Sequence, residues 1–136
     1  MRVVLDTNIL ISALMVREGN PATIYQAWQE GQFILLTCAE HLDEVRATLH
    51  KPAIAERIKP YKAGGLINEL RKLAENVKSL PHVRRSRDPA DDFLLALSQA
   101  GGADYLVTGD KSGLLALGQH KNTQIVSARA FVGLIV

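Results

Sequence analysis

The sequence is poor in several features that mark particular protein classes. It contains one cysteine, Cys38, which excludes an intramolecular disulfide and a metal cluster held by several thiolates. No apolar run approaches the roughly 18 residues that a membrane-spanning helix needs. The first residues do not form the apolar segment of a signal peptide, because Asp6 interrupts them. We therefore expect a cytoplasmic protein that does not span a membrane.

The net charge is small, and several common enzyme motifs are absent. Sixteen Lys and Arg residues against 14 Asp and Glu residues leave a formal net charge of +2, which does not by itself indicate a partner. The four histidines do not follow zinc-ligand spacing, and neither a phosphate-binding glycine loop nor a serine in a nucleophile turn is present. The length suits one ordinary globular domain, predicted to span residues 1–136.

Short apolar segments alternate with helical patterns along the chain. The segments rich in branched residues are predicted strands: Val3–Leu5, Phe33–Leu36, Tyr105–Val107 and Gln124–Val126. Strands that alternate with helices favour a parallel sheet covered by helices on both faces. We therefore predict an α/β three-layer sandwich.

The predicted helices are marked by capping residues and breakers. Helices are expected from Asn20-Pro21, over Ala39–Leu49, over Leu66–Val77 after two glycines, and from Asp88-Pro89 to the glycine pair at 101–102. The apolar tail Val132–Val136 is short, which is typical of a last strand or a docking edge.

Asp6 stands where a buried strand runs into a second apolar segment, although an unpaired buried carboxylate is costly. In parallel sheets, ligands bind beyond the carboxyl ends of the strands, where the fold can hold a charge. The strand Tyr105–Val107 is likewise followed by Thr108, Gly109 and Asp110. Each aspartate alone also suits a helix cap. Together, at matching ends of two predicted strands, they favour a functional pair.

A second acidic group opens a predicted helix. Asp88, Asp91 and Asp92 lie within five residues, where one or two acids suit capping and the helix dipole. A third acid adds repulsion unless a cation neutralises it. Several carboxylates around one cleft favour a hard divalent ion such as Mg²⁺ or Mn²⁺.

A third acidic group lies on the helix predicted over Ala39–Leu49. Glu40, Asp43 and Glu44 fall off its apolar stripe, so periodicity alone indicates a solvated face. Spacing does not distinguish Glu44 from its neighbours.

Four segments of the chain resemble one known family. "VVLDTNILIS", "LDEV", "DPADDFLLALSQAGGADYLVTGD" and "SARAF" are similar to the PIN-domain nucleases, and more narrowly to bacterial toxins of the VapC kind from toxin–antitoxin pairs. The resemblance implies an α/β/α sandwich with an acidic pocket for Mg²⁺ or Mn²⁺. It also implies cleavage of RNA, silencing by a cognate antitoxin, and homodimer formation.

The resemblance also assigns site residues by position in the motifs. The acids that it places at the catalytic and metal-binding site are Asp6, Glu44, Asp92 and Asp110, with Asp91 as a rival to Asp92. It implies metal contact for Asp6 and Asp92, with Glu44 and Asp110 completing the shell or orienting the attacking water. Asn8 and Thr108 match supporting polar positions.

Three arginines directly precede the acidic helix start. Arg84, Arg85 and Arg87 are suited to binding RNA phosphates beside such a pocket, although a solvated loop that offsets nearby acids is an equal interpretation.

Other functions fit the residues less well. An aspartate-based phosphohydrolase of the haloacid dehalogenase type needs a second aspartate where Asn8 stands, and a receiver domain needs paired acids beside Asp6. A non-catalytic RNA- or protein-binding PIN-like module remains the main alternative, although such a degraded site would normally have lost one of the acids.

Overall fold

One six-stranded sheet organises the structure, a computed structural model that describes residues 1–136. The strands are β1 (Arg2–Leu5), β2 (Ile34–Thr37), β3 (Glu75–Asn76), β4 (Tyr105–Val107), β5 (Gln119–His120) and β6 (Thr123–Val126). Their order across the sheet is β3-β2-β1-β4-β6-β5. Every neighbouring pair is parallel except β5 with β6.

Eight helices accompany the sheet. They are α1 (Thr7–Met15), α2 (Asn20–Gln29), α3 (Ala39–Leu49), α4 (Pro52–Ala55), α5 (Pro60–Leu73), α6 (Asp92–Gly101), α7 (Leu114–Leu117) and α8 (Ala128–Ile135). A single 3-10 turn, Pro89–Asp91, precedes α6. None of the helices has the length and hydropathy that crossing a membrane would require.

The core is divided into two buried clusters by the sheet. Val3 and Leu5 of β1 belong to one cluster, and Val4 belongs to the other. Successive side chains of a strand point to opposite faces, so the two clusters cover the two faces. The first cluster is completed mainly by α1, α2, α3, α5 and α8, and the second by α6 and α7. The predicted α/β sandwich is confirmed.

The four predicted strands are present to within about one residue, but two elements differ from expectation. Helix α5 begins at Pro60 and contains Gly64 and Gly65, so it starts before the glycine pair rather than after it. It ends at Leu73 and not at Val77, because Glu75 and Asn76 pair with β2 as strand β3. The chain end is a helix and not a strand: the Ser127 hydroxyl accepts a hydrogen bond from the Ala130 amide at 3.1 Å, and Phe131 is buried.

The strand order creates a crevice at one edge of the sheet. From β1 the chain continues to β2 on one side, whereas β4 lies on the other side of β1. Leu5 pairs with Val107, so β1 and β4 end at the same level. A crevice beyond the carboxyl ends of strands at such a switch point is the usual ligand site of parallel sheets. The residues that follow β1 and β4 line this edge.

His41 of α3 is buried without hydrogen-bond partners. Its side chain is 1% exposed, and neither ring nitrogen has a partner. The ring packs against Phe93, with the two ring centroids 5.8 Å apart. Burial lowers the pKa of His41 to about 4, so the imidazole is neutral in the folded protein at neutral pH.

We expect His41 to make the folded state sensitive to acid. The unfolded chain binds a proton near pH 6.5, whereas the folded chain does so only near pH 4. The free energy of unfolding should therefore fall by about 3 kcal/mol as the pH drops from above 6.5 towards 4. Denaturant unfolding of wild type and His41→Leu between pH 7.5 and 4 measures this contribution. A free-energy difference between the two proteins that stays constant over this range would contradict it.

Candidate active site at the carboxyl edge of the sheet

Asp6 is a buried carboxylate held by the neighbouring strand. It directly follows β1, is 7% exposed, and its amide donates to the Val107 carbonyl at 2.9 Å. The Thr108 hydroxyl donates to Asp6 Oδ2 at 2.7 Å, and the same oxygen of Thr108 accepts from the Asp110 amide at 3.2 Å. Burial raises the pKa of Asp6, the Thr108 hydroxyl partly offsets this, and the charge of Glu44 raises it further. The fold thus tolerates a carboxylate here because β4 supplies a hydrogen-bond donor.

Glu44 is brought to Asp6 by the start of α1. The hydroxyl of Thr7, the residue after Asp6, donates to Glu44 Oε1. Glu44 is half-buried, whereas Glu40 and Asp43 on the same helix are exposed. Helical periodicity did not distinguish these three acids, because the partner that orders Glu44 comes from another element. Thr7 lay inside the quoted motif, but sequence reasoning gave it no role.

Asp92, the first choice for the third acid, is bound to the loop that precedes it. Its Oδ1 accepts hydrogen bonds from the Ser86 amide at 2.8 Å, the Ser86 hydroxyl at 2.7 Å and the Arg85 amide at 3.1 Å. Burial acts to raise the pKa of Asp92, but the hydrogen bonds from Ser86 and Arg85 together outweigh it and hold the pKa below its usual range. Its carboxylate therefore anchors the preceding loop.

Asp91, the rival, lies among the acids instead. Its side chain makes no hydrogen bond at the start of α6. Burial raises the pKa of Asp91 to about 6, with further contributions from the charges of Asp6, Asp88, Asp110 and Glu44. Consecutive helical residues point in directions about 100° apart, so the 3-10 turn that ends at Asp91 decides which carboxylate faces the edge. These contacts favour Asp91 over Asp92 as the third acid of the candidate site.

Asp110 is held by a glycine that leaves room for it. The Gly113 amide donates to Asp110 Oδ1 at 3.1 Å. A Cβ atom on Gly113 would lie only 2.0 Å from Asp110 Oδ2, so any side chain there would displace the carboxylate. Sequence reasoning missed Gly113, although its position three residues after an aspartate that follows a strand is the available signal.

Of the three predicted RNA-binding arginines, Arg87 shares a cavity with Asp110. It lines a polar cavity of about 400 Å³ together with Asp88, Asp110 and Gly113. The Arg85 guanidinium instead donates to the Gln119 carbonyl at 2.8 Å and lies 3.0 Å from His120 Nδ1.

The two remaining predicted polar residues have less defined positions. Arg84 donates to His82 at 3.0 Å, within the loop that precedes the acids. Asn8 is exposed in the first turn of α1, so its supporting role stays a prediction.

The arrangement of the acids fits a hard cation bound partly through water better than one coordinated directly by several side chains. No group of three or more His, Cys, Asp or Glu side chains is close enough to hold a metal ion directly. Mg²⁺ is usually bound through one or two carboxylates, several waters and substrate phosphates. The raised pKa of Asp91, caused in part by four neighbouring carboxylates, indicates negative charge that a cation would relieve. The donor chemistry therefore fits Mg²⁺ or Mn²⁺.

We expect opposite effects on stability from removing the two adjacent acids. Asp92→Ala loses three hydrogen bonds to a carboxylate and should destabilise the fold by about 1 kcal/mol. Asp91→Ala removes a charge that is penalised by burial and by repulsion from nearby acids, and it should raise the melting temperature at pH 7.5. Because the folded-state pKa of Asp91 is raised, this gain should shrink as the pH falls from 6 towards 3.8. Thermal unfolding at several pH values checks both effects, and equal losses in the two variants would contradict the assignment.

Comparison with known proteins identifies the family. No curated protein matches the chain. The PIN domain matches residues 2–112, which contain Asp6, Glu44, Asp91 and Asp110 and the strands β1 to β4. The resemblance noted in the sequence is confirmed at the level of the family. The chain therefore belongs to the PIN-domain family, whose members are generally nucleases.

Proposed function

We propose that this protein is an endoribonuclease that uses Mg²⁺ or Mn²⁺ to hydrolyse RNA phosphodiester bonds. The observation that carries the proposal is that hydrogen bonds with Thr7 and Thr108 tie Glu44, Asp6 and Asp110 to the carboxyl ends of β1 and β4. Asp91 joins them, since the charges of these three acids contribute to its raised pKa. Such mutual repulsion is retained in proteins mainly where it has a function. Family membership supports nuclease chemistry in general.

The protein's own residues would hold this site in a defined geometry. The Thr108 hydroxyl orients Asp6, and the Thr7 hydroxyl orients Glu44. Each hydroxyl donates its hydrogen to one carboxylate oxygen. Gly113 and its amide fix Asp110 in the same way. Three of the four acids are therefore held in place by a hydrogen-bond donor, although all four repel one another.

A divalent ion and Arg87 would both interact with the negative charge of the substrate. A divalent ion at these acids supplies Lewis-acid activation of water and stabilises charge on the phosphodiester. Arg87 borders the same polar cavity as Asp110. Its guanidinium suits two oxygens of one phosphate, so Arg87 would position the scissile or the adjacent phosphate against the acids.

We also propose a biological setting from the motifs that resemble VapC-like toxins. In that setting the protein is the toxin of a toxin–antitoxin pair, is inhibited by a cognate antitoxin protein, and forms a homodimer. Induced expression of the wild type, but not of Asp6→Asn, should then arrest growth of a bacterial host. A host that grows equally well with both proteins would contradict the toxin role and leave the nuclease proposal standing.

Cleavage should depend on Asp6 and Asp91 but not on Asp92. Asp6→Asn and Asp91→Asn each remove one charge from the site, so we expect RNA cleavage to fall by about 100-fold or more. Asp92→Asn is the matched control, because its amide oxygen still accepts the Ser86 and Arg85 hydrogen bonds. The measurement is cleavage of labelled RNAs with Mg²⁺ or Mn²⁺, and with EDTA, which should abolish it.

The outcomes of this assay separate the alternatives. Loss of activity in Asp92→Asn with full activity in Asp91→Asn would return the third position to Asp92. Binding of RNA by the wild type without cleavage under either metal would favour a non-catalytic binding module.

Gly113→Ala tests the position of Asp110 without changing an acid. The added Cβ atom would overlap the Asp110 carboxylate, which must then move. A displacement of about 1 Å in a site of this kind costs roughly 10- to 100-fold in rate. Gly133→Ala is the control, since nothing lies within 4 Å of its Cβ position. Equal activity of Gly113→Ala and the control would remove Asp110 from the proposed site.

A further inference from the structure

A basic groove of about 770 Å³ lies away from the acidic edge, between the end of α1, α2 and the start of α5. Four cationic side chains line it: Arg17, Arg57, Lys59 and Lys62. Its one acidic residue, Glu69, is already engaged by the Tyr25 hydroxyl at 2.5 Å and by Gln29 at 3.2 Å. The groove thus concentrates more positive charge than the whole chain carries in net.

The four cations have no partners within the protein. The two ion pairs of the structure are Arg2 with Glu75 and Arg46 with Asp43, and both lie outside the groove. None of the groove cations donates a side-chain hydrogen bond, whereas Arg2 and Arg85 do. Four like charges that face one cleft repel each other, and an anionic ligand would relieve that repulsion.

An exposed aromatic ring accompanies the cations. Tyr61 in the first turn of α5 is 69% exposed and lines the groove between Lys59 and Lys62. The apolar part of the lining includes Leu14, Met15 and Leu66. A basic groove that carries an exposed aromatic ring is the usual surface for single-stranded nucleic acid, since phosphates contact the cations and a base stacks on the ring. An acidic polypeptide would use the cations but not require the ring.

The position of the groove relative to the acids also suits a polynucleotide. Asp6 directly precedes α1, and Ala13, Leu14 and Met15 in its last turn line the groove. Nine helical residues span about 13 Å. One strand of several nucleotides can therefore contact both places.

We propose that this groove binds the sugar-phosphate backbone of single-stranded RNA, with one base stacked on Tyr61, several nucleotides from the bond that is cut. This proposal rests on the proposed nuclease function for the identity of the ligand. It adds a strand-binding surface that holds the substrate while the acidic edge acts on it.

Binding of a labelled 16-nucleotide single-stranded RNA, measured by fluorescence anisotropy in EDTA, tests the groove without cleavage. In Lys59→Gln/Lys62→Gln we expect about 10-fold weaker binding at low salt. The slope of log K against log salt concentration should fall by about 1.4, since each phosphate contact contributes roughly 0.7. Tyr61→Ala should weaken binding about 5-fold or more without changing the slope. Lys78→Gln/Lys121→Gln, with two exposed lysines outside the groove, is the matched control and should bind like wild type.

Cleavage with Mn²⁺ by the same proteins separates this proposal from the nuclease function. The groove variants should raise KM and leave kcat unchanged. Cleavage and binding that are both unaffected in the groove variants would overturn the groove and leave the nuclease intact. RNA binding that depends on the groove, without any cleavage by wild type, would keep the groove and remove the nuclease. No RNA binding by wild type would overturn the groove proposal outright.

A competitor distinguishes the two kinds of polyanion. A 16-residue polyglutamate peptide should displace the RNA poorly, because it has no base to stack on Tyr61. Displacement at an equal concentration, unaffected by Tyr61→Ala, would overturn the assignment to nucleic acid in favour of an acidic polypeptide.

Discussion

The hydrogen bond between Thr108 and Asp6 depends on the parallel pairing of β1 with β4, and the candidate site depends on both. Leu5 lies opposite Val107, so the next residues of the two strands are neighbours although they are 102 positions apart in the chain. Without the Thr108 donor, a carboxylate that is 7% exposed would have one fewer bond to compensate for the loss of water. The same pairing brings Asp110 to the edge through its amide bond to Thr108.

The acidic edge lowers the stability of the folded protein. Asp6 and Asp91 both have raised pKa values, and in each case burial is the main cause and neighbouring carboxylates add to it. Residues with this combination of desolvation and like charge cluster at functional sites. Asp92 shows the opposite pattern, because three donors satisfy its carboxylate and lower its pKa. The two adjacent aspartates therefore differ: Asp91 carries an unfavourable charge, whereas Asp92 anchors the preceding loop.

The distribution of charge gives the molecule two surfaces of opposite sign. Carboxylates gather at the edge formed by β1 and β4, and cations without protein partners gather in the groove at the far end of α1. A net charge of +2 hides this separation, because the two groups nearly cancel in the sum. A polyanion attracted to the basic groove would bring its phosphates towards an acidic edge that can accept them only with cations present.

The sequence by itself determined the alternation of strands and helices, the α/β class and the positions of Asp6 and Asp110 at strand ends, because these follow from local hydrophobic patterns and turn residues. Motif resemblance added Glu44 and the family, which periodicity alone did not distinguish. Only the tertiary structure distinguishes Asp91 from Asp92, since the bonds from Ser86 and the Arg85 amide that occupy Asp92 depend on how a loop folds back. It alone also decided that the tail is a helix, that Thr7 orders Glu44 and that Gly113 makes room for Asp110. Each of these features depends on contacts between atoms that are far apart in the sequence, and a local sequence pattern does not predict such contacts.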